Sequence, residues 1–241
     1  MLTDRQKQLL QAIIDEFVET AEAVGSQHLQ RKYKLNLSPA TIRNEMSDLV
    51  KQGYLTKPHS SSGRIPTVLG YKQSIQELKN KLDELDVELE SVIKEELFQN
   101  RFDLDELIYN AINKINTESG NMSFAVVGGR IYYSGLSSVA SCPEFADSLK
   151  LQHILHAVED HDALKIILNK YSNEHNVRVL FGDDIGIDSF TDTALVYKLV
   201  NFHGDTSGFV GLIGPMRMNY AKNIALVDFI GESINEMLQS W

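Results

Sequence analysis

The chain has 241 residues, of which 43% are hydrophobic, so it is long enough to bury a sizeable core and we expect two domains. Its single cysteine, Cys142, excludes an intramolecular disulfide and a cysteine-rich zinc site, and indicates a reducing compartment. No apolar run approaches the ~20 residues that span a bilayer, and the first residues lack a signal-peptide core. We therefore expect a cytoplasmic protein.

The formal net charge of −10 is unevenly distributed along the chain. Residues 26–75 contain eight lysines and arginines but only two acidic residues, Glu45 and Asp48, which gives this segment a charge of +6 and leaves −16 for the rest. Attraction to phosphate depends on where positive charge lies. The basic segment can therefore bind nucleic acid although the chain as a whole is acidic.

Two helices are predicted before the centre of this basic segment. Thr3 and Gln6 have the spacing of a capping box, and apolar residues then recur at helical spacing, which predicts a helix over 4–24. Gly25 ends this helix, and Ser26 is a suitable N-cap for a second helix that reaches Tyr33. A short turn follows.

A third helix is predicted from Ser38, as N-cap, to about Gly53, with Pro39 at its first position. At ~100° per residue, one face is apolar and the other has short polar side chains, which fits the major groove of DNA. An ordinary solvated helix face is the alternative. For DNA contacts we predict Thr41, Asn44 and Ser47 at base edges, Arg43 at a phosphate or a guanine, and Lys51 on the same face.

Residues 55–66 predict two short strands around a tip rich in turn residues. Lys57 and Arg64 flank this tip, so it can reach an adjacent groove or the DNA backbone, although an ordinary exposed loop would have a similar composition. Three helices followed by such a hairpin are typical of a winged helix-turn-helix. The layout over residues 1–67 therefore points to DNA binding rather than catalysis.

The next segment, residues 68–98, has apolar residues at alternating spacings of three and four, which predicts one long heptad helix. Such a helix can pair with a second copy in a coiled coil, making the protein a homodimer, or it can lie on the C-terminal domain. A parallel pair would place DNA half-sites about one turn, ~10.5 bp, or a multiple of it apart. The predicted dimerisation residues are Ile75, Leu78, Leu82, Leu85, Leu89 and Val92.

Residues 99–241 predict an α+β domain. Strands are expected at 123–129 and 130–136, at 176–182, at 193–202 and at 208–214, with helices before, between and after them. No Walker loop or HExxH motif is present, so we predict neither an enzyme nor a bound cofactor or metal. His153, His156 and Glu159 have a spacing that could form half of a metal site, but a solvated helix face explains them more simply.

Five stretches resemble the HrcA family of heat-inducible transcription repressors, in the same order. They are GSQHLQRKY, LSPATIRNEMSDLVKQGYL and PHSSSGRIPTVLGY near the N-terminus, and YYSGLSSVASCPEFAD and GPMRMNYAKNIALVD later in the chain. The resemblance implies a GAF-like C-terminal domain and a repressor of chaperone operons that binds an inverted-repeat operator, is released on heat stress and is kept active by the chaperonin GroEL. It also implies DNA contacts from Ser38, Thr41, Arg43 and Asn44 in the third helix, and from Ser62, Gly63 and Arg64 in the wing.

The chain departs from the family in its length. Typical members have a subdomain inserted in the GAF-like part that takes part in dimerisation, whereas here SFAVVGG runs almost directly into RIYYSG. The family's dimer arrangement is therefore in doubt for this chain, and the heptad helix becomes the expected substitute. A regulator that senses a small molecule through its C-terminal domain is the alternative function.

Overall fold

The computed structural model describes residues 2–58, 63–78, 85–159, 165–168, 176–185, 190, 193–202 and 207–239. The chain forms two compact units. Residues 1–82 make up the first unit together with 217–221, and residues 83–216 and 222–241 make up the second.

The first unit is a winged helix-turn-helix, as predicted. Strands β1 and β2 pair antiparallel, with Leu55 opposite Pro66. Val24 adds a bridge on the other side of the wing, because its N–H donates to the carbonyl of Arg64 (2.9 Å) and its carbonyl accepts from the N–H of Arg64 (3.0 Å). The elements are α1 (Asp4–Thr20), α2 (Ser26–Tyr33), α3 (Pro39–Lys51), β1 (Leu55–Thr56), β2 (Ile65–Pro66) and α4 (Val68–Leu78).

Helix α1 begins as predicted but is four residues shorter. Both hydrogen bonds of the capping box between Thr3 and Gln6 form. The helix ends at Thr20 because Ala21 takes the left-handed conformation, with φ 57°, and Val24 is extended to pair with the wing. The predicted end at Val24 is therefore wrong, since its partner lies 40 residues further along the chain.

The predicted N-cap residue is found in α3 but not in α2. Gly25, not Ser26, is the N-cap of α2, and Ser26 is buried as the first helical residue. At α3, the hydroxyl of Ser38 accepts from the N–H of Thr41 (3.1 Å) and Pro39 takes the first turn, as predicted. The apolar face of α3 packs into the core of this unit through Ile42, Met46 and Leu49.

The heptad pattern is divided between two helices instead of continuing through one. Leu85 and Asp86 are not helical, and Asp86 is the N-cap of a new helix, α5 (Val87–Gln99), where its carboxylate accepts from the N–H of Glu88 (2.9 Å). An aspartate that satisfies a free N–H at this point favours a new helix start over a continuous helix. The prediction of a single helix over 68–98 is therefore corrected.

The second unit contains a five-stranded antiparallel sheet with the order β4-β3-β7-β6-β5. The α+β class predicted for this part is confirmed. Two glycines, Gly128 and Gly129, make the two-residue turn between β3 and β4, both with positive φ, which glycine adopts without strain. The numbered elements after α5 are α6 (Leu104–Ser119), β3 (Met122–Val127), β4 (Arg130–Ser134), α7 (Leu136–Ser141), α8 (Ser148–Glu159), β5 (Arg178–Phe181), β6 (Thr193–Asn201), β7 (Ser207–Pro215) and α9 (Tyr220–Gln239); the short helical turns Pro143–Phe145 and Gly182–Ile185 are left unnumbered.

Alternate residues of the strands face opposite sides of this sheet. On one side, apolar residues such as Phe124, Leu195 and Phe209 join Phe145 in a buried cluster. Helices α6 and α9 lie on the other side of the sheet. There the hydroxyl of Ser123 in β3 donates to the carbonyl of Ile112 in α6 (2.5 Å).

A buried lysine joins β6 to α9. Lys198 is only 3% exposed, and its Nζ lies 2.5 Å from a carboxylate oxygen of Asp228 and 2.5 Å from one of Glu232. Gly231 leaves room for the lysine, because a Cβ at this position would lie 2.8 Å from Cδ of Lys198. The glycine within a long helix is thus explained by close packing.

Residues 217–221, between β7 and α9, are part of the first unit. Arg217 donates from Nη1 to the carbonyl of Val18 (3.0 Å), which is one of the last carbonyls of α1 and lacks a helical partner. The buried ring of Tyr220 lies 5.6 Å from that of Tyr71 in α4, measured between ring centroids. The segment therefore completes the first unit, although it follows the sheet in sequence.

Candidate nucleic-acid interface

Helix α3 has a buried back and an exposed polar front. Ile42 and Met46 are buried, whereas Arg43 and Asn44 are exposed. Burial of the apolar face holds the helix on the first unit and leaves the guanidinium and the amide free to face a partner. An asparagine amide can pair with adenine and an arginine with guanine or phosphate, so this face can both anchor and read DNA.

The hydroxyl groups of α3 and of its N-cap form hydrogen bonds within the helix. The Oγ of Ser38 lies 2.9 Å from Oγ1 of Thr41, which is half-buried, and the hydroxyl of Ser47 donates to the carbonyl of Arg43 (2.8 Å). A hydroxyl that donates to a carbonyl keeps its lone pairs. Ser47 can therefore accept a hydrogen bond from a base amino group without losing this contact.

The predicted basic contacts differ in their surroundings. Lys51 is exposed and pairs with Asp48 at 2.9 Å, a surface pair of the kind that contributes about 1 kcal/mol or less. A phosphate can compete for such a lysine. Lys57 is exposed beside the wing tip, and Arg64 is half-buried, with Nη1 donating to the carbonyl of Gly63 (3.1 Å).

Gly63 has a packing role. It is buried, and a Cβ at this position would lie 2.5 Å from the carbonyl oxygen of Ala23, closer than side-chain carbons come to backbone. The lack of a side chain at Gly63 is what lets the wing approach residues 23 and 24, and the DNA contact implied for this residue stays a prediction. Ser62, the other predicted contact at the tip, lies outside the described residues.

A buried carboxylate holds α2 on α1. Glu16 is only 3% exposed, and its Oε1 lies 2.7 Å from Nε2 of His28. Its Oε2 lies 2.8 Å from Nζ of Lys32 and accepts a hydrogen bond from the hydroxyl of Tyr33 (3.3 Å). Burial alone would raise the pKa of Glu16, but the hydrogen bonds and charges of Lys32 and His28 outweigh burial and lower it below 4.5. Burial and the charge of Glu16 raise the pKa of Tyr33 to about 12.

We expect the Glu16→Gln substitution to show the pH dependence of this cluster. Because the folded pKa of Glu16 is lower than the unfolded value of 4.5, its stabilisation is complete above pH 4.5 and is lost as the pH falls through the folded pKa. Urea unfolding from pH 7 to pH 3 should show the variant less stable at pH 7, by at most about 2 kcal/mol, and a difference that shrinks as the pH falls below 4.5. A difference that stays constant with pH would contradict this assignment.

A second carboxylate, that of Glu45, is buried on the inner side of α3, where it contacts Arg5 and Gln6 of α1. Neither buried carboxylate, that of Glu16 or that of Glu45, was predicted from the sequence. In each case the available signal was an acidic residue close to an apolar face, since a carboxylate is rarely buried unless it is paired.

The predicted dimerisation residues do not form one exposed stripe. Ile75 and Leu85 are buried, Leu78 and Leu89 are half-buried, and Val92 is 40% exposed, whereas Leu82 lies outside the described residues. In α5 the most buried residues are Ile93 and Leu97, and this helix packs on α6. For α5 the arrangement favours the alternative in which the helix lies on the C-terminal domain.

No three His, Cys, Asp or Glu residues within the described part of the chain are grouped so as to hold a metal ion. No helix within the same residues is both long and apolar enough to cross a membrane.

A family model for the HrcA protein C-terminal domain matches residues 71–224, which is more than half of the chain. The chain belongs to the HrcA family. Its similarity to HrcA proteins extends along nearly its whole length. It is 25% identical to the heat-inducible transcription repressor HrcA of Halalkalibacterium halodurans over 99% of this chain and 98% of that protein. It is 27% identical to the HrcA repressor of Symbiobacterium thermophilum, over 98% and 99% respectively.

These HrcA relatives are longer within the aligned region. The alignment with the Halalkalibacterium protein has 339 positions and this chain has 241 residues, so at least 98 positions of the alignment have no residue of this chain. A crystal structure described as that of a hypothetical protein has the same fold without this difference in length. It matches 100% of this chain and 99% of its own, with a TM-score of 0.83 and 17% identity.

Proposed function

We propose that this member of the HrcA family is a heat-inducible transcriptional repressor that binds operator DNA through α3 and the wing. The observation that carries the proposal is the arrangement of α3, whose apolar side is buried while Arg43 and Asn44 are exposed beside a basic wing. The response to heat is inferred from the HrcA relatives, which are named heat-inducible transcription repressors.

The mechanism would be occlusion of a promoter. Arg43, Lys51, Lys57 and Arg64 are proposed to anchor the first unit on phosphates, while Asn44, Thr41, Ser47 and Ser38 contact base edges. The protein would act as a homodimer on an inverted repeat upstream of chaperone genes, because a twofold operator requires two symmetric copies. The resemblance to the family further suggests that the chaperonin GroEL keeps the repressor active and that heat releases it from DNA.

The proposal is tested by selecting duplexes that the full chain binds from a random-sequence library. Binding of the selected duplex and of a scrambled duplex of equal length is then measured by fluorescence anisotropy, at about 0.1 and 0.2 M salt. We expect a preference of about 1,000-fold or more for the selected duplex and a twofold-symmetric consensus. Equal affinity for both duplexes would show that the chain does not read an operator.

Regulation by heat is tested on the same duplex. We expect bound protein to dissociate over the heat-shock range in the absence of chaperonin, and added GroEL to restore binding after cooling. Sedimentation of the complex gives the number of chains on each duplex. Affinity that is constant across this range, with and without chaperonin, would contradict the proposed response.

The Arg43→Ala substitution should lower the affinity for the selected duplex and reduce its dependence on salt. Loss of one phosphate contact lowers the slope of log affinity against log salt by about 0.9. Arg130→Ala is the matched control, because it removes the same charge from an exposed position in the second unit. A slope that is the same for Arg43→Ala and for the control would exclude Arg43 as a phosphate contact.

A further inference from the structure

Glu45 occupies an unusual place in α3. It is only 8% exposed, although it lies in the middle of the helix that we propose reads DNA. Its Oε2 accepts a hydrogen bond from Nε2 of Gln6 (3.1 Å), and its Oε1 contacts the guanidinium of Arg5. Glu45 therefore faces α1, and its carboxylate does not lie on the exposed side of α3.

Stability alone does not account for a carboxylate at this position. Removing a charge from water is unfavourable, and an apolar residue of similar volume often replaces a buried ion pair without loss of stability. The neighbouring positions Ile42, Met46 and Leu49 already supply apolar burial. The carboxylate does, however, form directional contacts, which apolar packing does not supply.

What it contributes is a fixed orientation. Apolar contacts are not directional, so they allow a helix to turn slightly about its axis, whereas a hydrogen bond requires a defined distance and angle. Gln6 is itself fixed, because its Oε1 accepts from the N–H of Thr3 (3.1 Å) in the capping box of α1. The carboxylate of Glu45 is thus tied to the rigid first turn of another helix.

A small rotation of α3 would be enough to disturb base reading. Side-chain tips lie about 5–6 Å from a helix axis, so a rotation of roughly 20° moves them by about 2 Å. Functional groups must be held within about 0.5 Å of their productive position. Contacts with phosphates tolerate such movement better, because they depend on charge more than on direction.

We propose that Glu45 is a positioning residue that fixes the rotation of α3 through Gln6 and Arg5, and so sets base specificity without touching DNA. This inference rests on the proposed function and deepens it. It assigns sequence discrimination to a buried contact between α1 and α3 as well as to the exposed residues of α3.

The Glu45→Leu substitution tests the proposal in the full chain. Leucine keeps most of the volume and suits the apolar surroundings, and Arg5 can turn into solvent because its side chain is 57% exposed. We expect the affinity for the selected duplex to fall about tenfold, while the affinity for the scrambled duplex, the slope against salt and the melting temperature stay the same or rise. Glu22→Gln is the control for charge, since it removes an exposed carboxylate of the same unit.

The alternatives give different results. A purely electrostatic effect of Glu45 would make Glu45→Leu and Glu22→Gln bind both duplexes more tightly, and a purely structural role would change the melting temperature and both affinities together. Either result would overturn the proposal.

If Glu45→Leu does not fold, Glu45→Gln is measured instead. This variant keeps the size and one acceptor but loses the charge, so it should give a smaller loss of discrimination. If a folded variant distinguishes the selected from the scrambled duplex as well as the wild type does, only the positioning role is overturned. If the wild type itself does not distinguish the two duplexes, the proposed function is contradicted.

Discussion

The Gly63→Ala substitution is expected to weaken DNA binding at least tenfold and to destabilise the first unit by about 3 kcal/mol. The added Cβ would lie 2.5 Å from the carbonyl oxygen and 2.8 Å from the Cβ of Ala23, so the wing must move away. Such overpacking costs about 1–3 kcal/mol, and the two hydrogen bonds between Val24 and Arg64 contribute about 1 kcal/mol each. Anisotropy with the selected duplex and urea unfolding measure the two effects.

Gly25→Ala is the matched control for this prediction. It adds the same methyl group two residues from Ala23, but a Cβ at Gly25 meets nothing within 4 Å, and its φ of −99° suits any residue. Alanine is a weaker N-cap than glycine, so a loss of at most about 1 kcal/mol is expected, with DNA affinity unchanged. If both substitutions weakened DNA binding equally, the wing would not depend on its approach to Ala23.

The combined substitution Asp228→Asn and Glu232→Gln is expected to destabilise the second unit by about 3 kcal/mol. It leaves the ammonium group of Lys198 buried with no opposite charge, which is strongly unfavourable. We expect the lower end of the 3–5 kcal/mol range, because both carboxylates are themselves about half-exposed. Calorimetry should show this unit melting roughly 6–12 °C lower.

Lys198→Met provides the control for this pair of substitutions. Methionine removes the buried charge and retains most of the side-chain volume, so we expect stability close to that of the wild type. In the Lys198→Met background, Asp228→Asn and Glu232→Gln should have little effect, because the charge that they balance is gone. An equal loss with and without Lys198 would mean that the carboxylates stabilise α9 in another way.

Features that depend on neighbouring residues could be predicted from the sequence. The start of α3 is an example, because Ser38, Pro39 and the apolar positions that follow act within one turn of each other. The strands of the sheet were also predicted, since apolar runs bounded by turn residues are local signals, although the strand predicted over 123–129 included Gly128 and Gly129, which form the turn.

Features that depend on a distant partner could not be predicted. Val24 was predicted to end a helix, since no residue near it in the sequence indicates a β-bridge with Arg64. The burial of Glu45 could not be predicted because its partners, Arg5 and Gln6, belong to another helix. The regular heptad spacing predicted one helix. A new helix nevertheless begins after the N-cap Asp86, although the apolar spacing continues past this residue.

The position of residues 217–221 has a consequence for synthesis of the protein on the ribosome. The first unit includes Arg217, which caps α1, and Tyr220, which packs against Tyr71, so it cannot be completed from the N-terminal residues alone. During translation these contacts form only after the five strands of the sheet have been made, since residue 221 follows all of them. A nascent chain therefore completes its DNA-binding unit only after residues 83–216 of the second unit have been made, while residues 222–241 of that unit are still to follow.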